Sequence, residues 1–385
     1  MKTTVHQEAL KAGLQAVGRA ASPRPALPVL ANVLLEAGKQ VSSGAGQLKL
    51  SATNLQLGIT CWIPAEVKTP GATTLPAATL SDLVGNLPAG TLTLSLNSKT
   101  ETLSVQADQS QAKVKGIAAS EFPPHVTGEQ ALTVGIAADL LKGLIRRTVF
   151  SAGLDDSRPV LTGVLFDLQD DRLTLSSADG FRLSTAWETL AEPVSEPQQA
   201  IVPAGSLKEL LAVAPDQGSL EMRLEPGRVT FRLQDLAGPL QALEVVSLLL
   251  DGKFPDFEGV VPKDHATRVS VDRPALLRAC RQALIFARES SDLGIFKITP
   301  GAETEPGQVQ VSGHSSETGS NSSTVTAEVE GEGLEIGFNL RYLQEVLQII
   351  REPSVMLGLT TPESPGALLA AGNETFTHVL MPMHL

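Results

Sequence analysis

The chain has 385 residues, more than one ordinary hydrophobic core organises, so two or three domains are expected. Hydrophobic residues make up 42% and charged residues 19%, which is typical of a globular protein, and no apolar run is long enough to span a membrane. The formal net charge of −12 counts against nucleic acid as a partner unless the basic residues are clustered.

The first residues, MKTTVHQEAL, contain no apolar signal segment, which favours a cytoplasmic protein. Cys61 and Cys280 lie far apart and form no CxxC pair, which argues against a disulfide framework or a structural zinc site. We expect both to be buried as small apolar side chains.

One pattern occurs three times along the chain at a spacing of about 130 residues, the size of a domain. Each repeat opens with an extended run and an amphipathic helix, and a second helix follows later. The opening segments start at Thr3, Leu132 and Arg268, and the second helices lie in LPAATLSDLVGNL from Leu75, VPAGSLKELLAVA from Val202 and FNLRYLQEVLQII from Phe338.

Short alternating segments predict strands with one buried face: TLTLSL from Thr91, TLSVQA from Thr102, RLTLSSA from Arg172, SLEMRL from Ser219 and RVTFRL from Arg228. The first two repeats end on EFPPH (121–125) and KFPDF (253–257), where proline ends strand pairing, and THVL from Thr377 is the last strand of the third. The chain is therefore predicted to be α+β, with three tandem domains at 1–126, 127–264 and 265–385. Each domain is expected to be pseudo-twofold, with two helices packed on antiparallel sheets.

Basic and apolar residues separate on the first helix of each repeat. The predicted inward residues are Leu10, Leu14 and Val17, then Leu140, Leu141, Leu144 and Ile145, then Leu276, Leu277 and Leu284. The predicted outward basic residues are Lys11 and Arg19, then Lys142 and Arg146, then Arg278 and Arg281. A basic helical layer on an acidic body suits a protein that surrounds DNA without reading its bases, although ordinary solvated helix faces give the same pattern.

Catalytic patterns are weak. SGHSSETGS (312–320) matches a serine-enzyme elbow only loosely, and the six histidines show no metal-ligand spacing. The pairs Asp155–Asp156 and Asp170–Asp171 could bind Mg²⁺ in a nuclease or phosphatase, but adjacent aspartates point in different directions, so surface acidity is favoured. We predict no catalytic residue, metal or cofactor.

SADGFRLS from Ser177, DGKFPDFEGVVP from Asp251, FNLRYLQEVL from Phe338 and VLMPMHL from Val379 resemble the bacterial DNA polymerase III β subunits, the sliding-clamp family, along the whole chain. The resemblance implies a non-catalytic, head-to-tail homodimeric ring with helices lining the hole. A clamp loader would open the ring on double-stranded DNA, where it would tether the replicative polymerase catalytic subunit, translesion polymerases and mismatch-repair proteins, with no membrane partner.

In the family, partners insert a short apolar-aromatic peptide into a cleft between the second and third domains. Matching the family's motifs implies these cleft residues: Leu161, Gly180, Phe181, Arg182, Leu183, Pro255, Val260, Asn339, Tyr342, Val379, Leu380, Met381, Pro382 and Met383. Phe181 stands where many members have histidine, and Gly259 and His384 stand where a basic residue is common. This cleft is therefore expected to be more apolar and less basic.

The resemblance also implies DNA-facing roles for Arg24 in SPRPALP and Arg158 in DDSRPVL. Phe286, on the first helix of the third repeat, is expected either at the subunit interface or in the core. Two alternatives to a clamp stay open at this point: a metal-dependent nuclease or phosphatase that uses the Asp pairs, and a protein scaffold of the same fold that never holds DNA.

Overall fold

The computed structural model describes residues 1–385 except 40–43, 125–130, 258, 263 and 304, so His125 and the boundary predicted after residue 126 lie outside the described residues. Both predicted helices of every repeat are found. They are α1 Gln7–Val17, α2 Ala77–Asn86, α3 Ala138–Thr148, α4 Ala204–Val213, α5 Arg273–Ala287 and α6 Leu340–Ile349. Among the described residues, no helix is both long and apolar enough to cross a membrane.

The strands include every segment predicted from alternation. They are β1 Lys2–His6, β2 Asn32–Lys39, β3 Gly46–Thr53, β4 Leu57–Pro64, β5 Glu66–Thr69, β6 Gly71–Pro76, β7 Thr91–Asn97, β8 Thr102–Ala107, β9 Ser110–Lys115, β10 Leu132–Ala137, β11 Gly163–Gln169, β12 Arg172–Ala178, β13 Arg182–Thr189, β14 Gln198–Pro203, β15 Ser219–Glu225, β16 Arg228–Leu233, β17 Ala242–Leu248, β18 Thr267–Asp272, β19 Leu293–Thr299, β20 Gln308–Ser315, β21 Gly319–Glu330, β22 Leu334–Asn339, β23 Ser354–Leu359, β24 Gly366–Ala370 and β25 Asn373–Leu380.

The chain divides into two compact units, and the first, unit 1, comprises residues 1–141 and 205–249. It contains a five-stranded sheet in the order β5-β1-β7-β8-β9 and an eight-stranded sheet in the order β10-β15-β16-β17-β4-β3-β2-β6. The antiparallel β17–β4 pair joins strands of the second and first repeats, with Ser247 opposite Leu57. Helix α1 packs on this sheet, where the buried Cys61 thiol lies 3.7 Å from the carbonyl of Gly13. Burial raises the pKa of Cys61 to about 12.

The second unit, unit 2, comprises residues 142–204 and 250–385. Its twelve-stranded sheet has the order β14-β11-β12-β13-β25-β24-β23-β18-β21-β20-β19-β22. The antiparallel β13–β25 pair joins the second and third repeats and confirms THVL as part of a strand. Helix α5 begins after Asp272, whose carboxylate accepts the Ala275 N–H at 2.8 Å, and it buries Cys280 as predicted.

The predicted orientation of helix α3 is confirmed for Leu141, Leu144 and Ile145, which are fully buried, and is wrong for two other residues. Lys142, expected to face outward, is only 4% exposed and makes an interaction within the described structure, whereas Leu140, expected inside, is 39% exposed. The small Ala138 is also fully buried, and Lys142, one turn later, lies on the same side of the helix beside Leu141 and Ile145. Lys142 is therefore not a surface cation, and its assignment as a DNA-facing residue is withdrawn.

Candidate functional site

The candidate cleft residues all belong to unit 2. Most of them lie on three segments that contact one another: the turn before β13 with the start of that strand, the start of α6, and the end of β25 with the residues that follow it. A fourth segment, around Phe254, covers the neighbouring core. The geometry of each segment decides which of these side chains a partner can reach.

Residues 179–182, here called the Phe181 turn, present an aromatic ring to solvent. The Asp179 Oδ1 atom accepts the backbone N–H groups of Phe181 at 2.9 Å and Arg182 at 3.0 Å. Gly180 has a φ of +93°, a conformation that suits glycine. The turn leaves the Phe181 side chain 64% exposed, which is unusual for a large apolar group.

Arg182 is buried rather than open to a ligand, with 9% of its surface exposed. Its Nε donates to Asp179 Oδ2 at 3.0 Å, its Nη2 donates to the carbonyl of Phe150 at 2.8 Å, and its Nη1 donates to the carboxylate of Glu345. The guanidinium carbon also lies 4.2 Å from the ring centroid of Tyr342. Arg182 therefore ties the Phe181 turn to helix α6.

Helix α6 begins at this site because Asn339 caps its first turn. The Asn339 Oδ1 atom accepts the N–H groups of Arg341 at 2.9 Å and Tyr342 at 3.1 Å, so this oxygen is occupied by the helix end. Tyr342 is half-buried, and burial is the largest of the influences that raise the pKa of its phenol. Asn339 therefore acts here by placing Tyr342 beside Arg182.

The segment after β25 lies between the Phe181 turn and β22. The Met381 N–H donates to the carbonyl of Phe181 at 2.9 Å, and the Met383 N–H donates to the carbonyl of Gly337 at 2.8 Å. A Cβ atom on Gly337 would lie 2.7 Å from the Met383 carbonyl oxygen, so glycine is needed for this close approach. Met381 is exposed and Pro382 and Met383 are half-buried, which makes this segment an accessible wall.

Leu161 belongs to a small apolar cluster with Leu165, Ile201 and Phe254. Phe257 packs against the cluster edge-on to Phe254, with ring centroids 6.1 Å apart, and its carbonyl accepts the Val260 N–H at 2.9 Å. Pro255 and Val260 are exposed above this cluster, and Leu161 is buried in it.

The remaining predicted cleft residues, Leu183, Val379 and Leu380, are buried in the β13–β25 pair. The site therefore has two layers. Phe181, Pro255, Val260 and Met381 are its exposed apolar residues, and Leu161, Leu183, Val379, Leu380 and Arg182 are its buried ones.

A buried polar chain lies beneath the same strand pair. The Ser184 hydroxyl lies 2.7 Å from both the Ser151 hydroxyl and the Nδ1 atom of His378, which is fully buried. The His378 ring stacks on Phe150 with centroids 5.5 Å apart. Burial, and then the positive charge of Arg182, lower the pKa of His378 to about 3, so its imidazole is neutral at physiological pH.

The other basic residues predicted to face DNA differ in availability. Arg24, Arg278 and Arg281 are exposed, and Lys11 is half-buried. Arg19 lies in a 3₁₀ turn just after α1 and forms an ion pair with Glu209. Arg146 is half-buried and makes an interaction within the described structure.

Arg158 is exposed beside the Phe181 turn: a Cβ atom on Gly180 would lie 3.5 Å from its Nη1. Its predicted role at DNA stays a prediction, and its guanidinium lies beside the Phe181 turn. Phe286 is half-buried on α5, and its neighbour Ile285 is 60% exposed.

The residues considered for catalysis lie in turns. Asp170 and Asp171 form the β11–β12 turn, and the Asp155 carboxylate accepts the Ser157 hydroxyl at 2.6 Å and N–H at 2.9 Å, the largest influences lowering its pKa. The SGHSSETGS segment connects β20 to β21, not a strand to a helix. In the described part of the chain, no three His, Cys, Asp or Glu side chains are grouped as a metal ion would require.

Sequence reasoning missed Asp179, Glu345 and His378 at this site. The Asp-Gly pair at 179–180 is a turn signal that could have identified Asp179. Glu345 and His378 carry no such signal, because their partners Arg182 and Ser184 are 163 and 194 residues away in the chain.

Comparison with known proteins covers the whole chain. Three family models of the DNA polymerase III beta subunit match this chain: the N-terminal domain at residues 1–127, the central domain at residues 135–256 and the C-terminal domain at residues 258–384. The beta sliding clamp of Synechococcus elongatus is 33% identical over 392 residues, covering 100% of both chains. The DNA polymerase sliding clamp of Bacillus subtilis has a crystal structure with a TM-score of 0.90 and 25% identity, covering 100% of this chain and 99% of that one. A Pseudomonas aeruginosa sliding clamp bound to griselimycin has a TM-score of 0.91 and 29% identity, with 100% of both chains covered.

Proposed function

Because the chain belongs to the DNA polymerase III beta subunit family, the sliding clamps, we propose that it closes around duplex DNA as a homodimeric ring and tethers polymerases there. The family match along all three repeats carries this conclusion. The protein is a DNA sliding clamp, a processivity factor rather than an enzyme. We propose three domains at 1–126, 127–264 and 265–385; the family matches, at 1–127, 135–256 and 258–384, also divide the chain into three parts.

A ring explains how a chain with a net charge of −12 holds DNA. Retention is topological, so tight phosphate contacts are unnecessary and would slow sliding. The exposed Arg24, Arg278 and Arg281, with Lys11, Arg19, Arg146 and Arg158, are proposed to face the DNA backbone. The exposed Ile285 beside Phe286 supports an apolar subunit contact at the end of α5.

The Phe181, Pro255, Val260 and Met381 surface is proposed as the docking site for an apolar-aromatic peptide of each partner. Burying about 500 Å² of apolar surface gives roughly 12 kcal/mol before association costs of about 4 kcal/mol or more, which is compatible with micromolar exchange. Methionine suits such a site because it adapts to different side chains. The proposed partners are the replicative polymerase catalytic subunit, the clamp loader, translesion polymerases and mismatch-repair proteins, and the proposed location is the nucleoid in the cytoplasm.

Retention on circular DNA tests the ring. The protein is loaded onto nicked circular plasmid with a clamp loader, separated from free protein by gel filtration, and then the plasmid is linearised. We expect co-elution with the circle and release after linearisation. Failure to remain on closed circles would favour the scaffold alternative, in which the fold never holds DNA.

Deletion of Met381–Leu385 tests the peptide site separately. We expect the truncated protein to lose binding of a short fluorescein-labelled peptide that contains leucine and phenylalanine, measured by anisotropy, because the wall beside Phe181 is gone. Self-association in sedimentation experiments should persist. Unchanged peptide affinity would show that the site has been assigned wrongly, while leaving the ring proposal intact.

A further inference from the structure

Glu345 lies on helix α6, three residues after Tyr342, so both side chains project from the same helix face. Its carboxylate accepts the Nη1 group of Arg182, whose guanidinium lies over the Tyr342 ring. Helix α6 therefore holds Arg182 by two contacts, an ion pair and a cation–π contact. The Glu345 side chain is 40% exposed, whereas the Arg182 side chain is 8% exposed.

The same guanidinium reaches the Phe181 turn through a different nitrogen. Nε donates to Asp179 Oδ2, and the other oxygen of that carboxylate accepts the N–H groups of Phe181 and Arg182. One oxygen of Asp179 therefore binds the Arg182 side chain, and the other binds the backbone of the turn. A displacement of Arg182 would pull on the carboxylate that fixes the backbone under the exposed Phe181 ring.

Loss of Glu345 would leave Nη1 of a buried guanidinium without its carboxylate, while Asp179, Phe150 and Tyr342 still hold the other atoms. An unmatched buried donor is costly, and Arg182 would rotate to find water or another acceptor. The fork geometry of arginine couples its nitrogens rigidly, so a rotation that helps Nη1 disturbs Nε. The effect is expected at the Phe181 turn and over Tyr342, with little unfolding.

We propose that Glu345 is a positioning residue of the peptide site, acting through Arg182 to fix the Phe181 turn against Tyr342. The inference rests on the proposed function of this surface as a peptide-docking site. It gives a role to a residue that does not itself belong to the apolar surface.

Glu345→Gln is the test, because it keeps size and a hydrogen-bond acceptor and removes the charge. Glu36→Gln is the matched control: Glu36 is also 40% exposed and forms an ion pair, with Lys49 at 3.0 Å in unit 1. We expect Glu345→Gln to weaken binding of the labelled leucine- and phenylalanine-containing peptide by about fivefold, the usual difference between a hydrogen bond to a charged acceptor and one to a neutral acceptor. Both variants should show similar, small changes in thermal midpoint, and Glu36→Gln should bind like the wild type.

A double-mutant cycle separates positioning from direct contact. Arg182→Lys keeps a positive charge but loses the fork, so adding Glu345→Gln to it should weaken binding no further. Additive losses would mean that Glu345 meets the peptide itself, which would overturn the proposal. Equal affinity of wild type and Glu345→Gln would also overturn it, whereas a wild type that binds no peptide but stays on circular DNA would refute the docking site instead.

Discussion

Two turns at equivalent positions of the first and second repeats share one backbone frame. Asn54 Oδ1 accepts the N–H groups of Gln56 at 3.0 Å and Leu57 at 2.7 Å, just as Asp179 accepts those of Phe181 and Arg182. We call residues 54–57 the Gln56 turn. Both turns also accept a matching backbone hydrogen bond. The Leu248 N–H donates to the Gln56 carbonyl at 2.8 Å, and the Met381 N–H donates to the Phe181 carbonyl at 2.9 Å.

The side chains on these frames differ. The Gln56 turn exposes Leu55 and Gln56 and buries Leu57, whereas the Phe181 turn has glycine at the position of Leu55, exposes an aromatic ring and buries Arg182 in a polar cluster. The strands that follow the two turns differ in the same way. An apolar pair, Val245 and Ile59, lies across β17 and β4 in unit 1, whereas a polar pair, His378 and Ser184, lies across β25 and β13 in unit 2. The repeated backbone therefore provides the same frame twice, and the side chains proposed for peptide docking stand on only one copy of it.

The largest expected effect comes from removing the side chain buried under each turn. Arg182→Ala should destabilise the protein by roughly 3 to 5 kcal/mol, because it removes a buried side chain and leaves the largely buried Asp179 carboxylate without its cation, and should abolish peptide binding. Leu57→Ala should cost about 2 to 4 kcal/mol through cavity formation and leave the peptide affinity unchanged. Urea denaturation and peptide anisotropy measure the two quantities. An equal loss of peptide binding in Leu57→Ala would erase the functional distinction between the turns.

The second difference, His378 in unit 2 where unit 1 has Val245, should appear as a loss of stability at acid pH. The folded protein keeps His378 neutral down to a pKa of about 3, whereas an unfolded histidine takes up a proton near pH 6.5. The unfolded state therefore binds more protons below that pH, and stability falls by about 1.4 kcal/mol per pH unit as the pH drops from 6.5 towards 3. Replacing His378 by valine, the residue at the matching position of unit 1, should remove this slope.

Thermal midpoints between pH 7.5 and 5 would measure the slope, where the expected loss from His378 alone is about 2 kcal/mol at pH 5. Substitution of the exposed His314 by glutamine is the control and should leave the slope as in the wild type. A His378→Val variant that loses stability with acid as steeply as the wild type would assign the effect to other groups.

Much of the fold followed from the sequence because periodicity is a local property. Both helices of each repeat and the alternating strands were predictable, since each segment carries its own buried face. The burial of Ala138 and Lys142 on α3 was not, because alanine contributes little apolar weight to the pattern and lysine usually faces solvent. Small residues can define a packed face that composition does not reveal.

The site was predictable only as a set of positions. Phe181 and Met381 were identified through family motifs, and the structure shows both exposed and joined by a backbone hydrogen bond. Arg182 was identified without its role, because Glu345 is distant in the chain and Phe150 binds it through a backbone carbonyl, which any residue could supply. Contacts between repeats are set by tertiary pairing, which a single sequence does not encode locally.

Substituting the glycines whose carbonyl groups bind the segments after β25 and β17 should have a smaller effect on peptide affinity or stability. Gly337→Ala should push the Met383 carbonyl away and weaken peptide binding by about tenfold, since the Met381 wall loses its attachment. A glycine of unit 1 serves for comparison: the Leu249 N–H, just after β17, donates to the Gly227 carbonyl at 2.9 Å. Gly227→Ala, at a φ of +76°, should cost about 1 kcal/mol of stability through backbone strain without changing peptide affinity. Peptide binding by Gly337→Ala at the wild-type affinity would show that the site does not depend on the close contact between Gly337 and Met383.

The smallest effects are expected from exchanging the exposed residues of the two turns. Phe181→Gln should change stability by less than about 0.5 kcal/mol, because the ring is mostly in solvent, and weaken peptide binding several-fold. Gln56→Phe should be similarly neutral and create no second binding event in a calorimetric titration, because Leu57 provides no guanidinium to connect its turn to a neighbouring helix. A stoichiometry that rises to two peptides per chain would show that the backbone frame and one aromatic ring suffice, and that Arg182 is dispensable for docking.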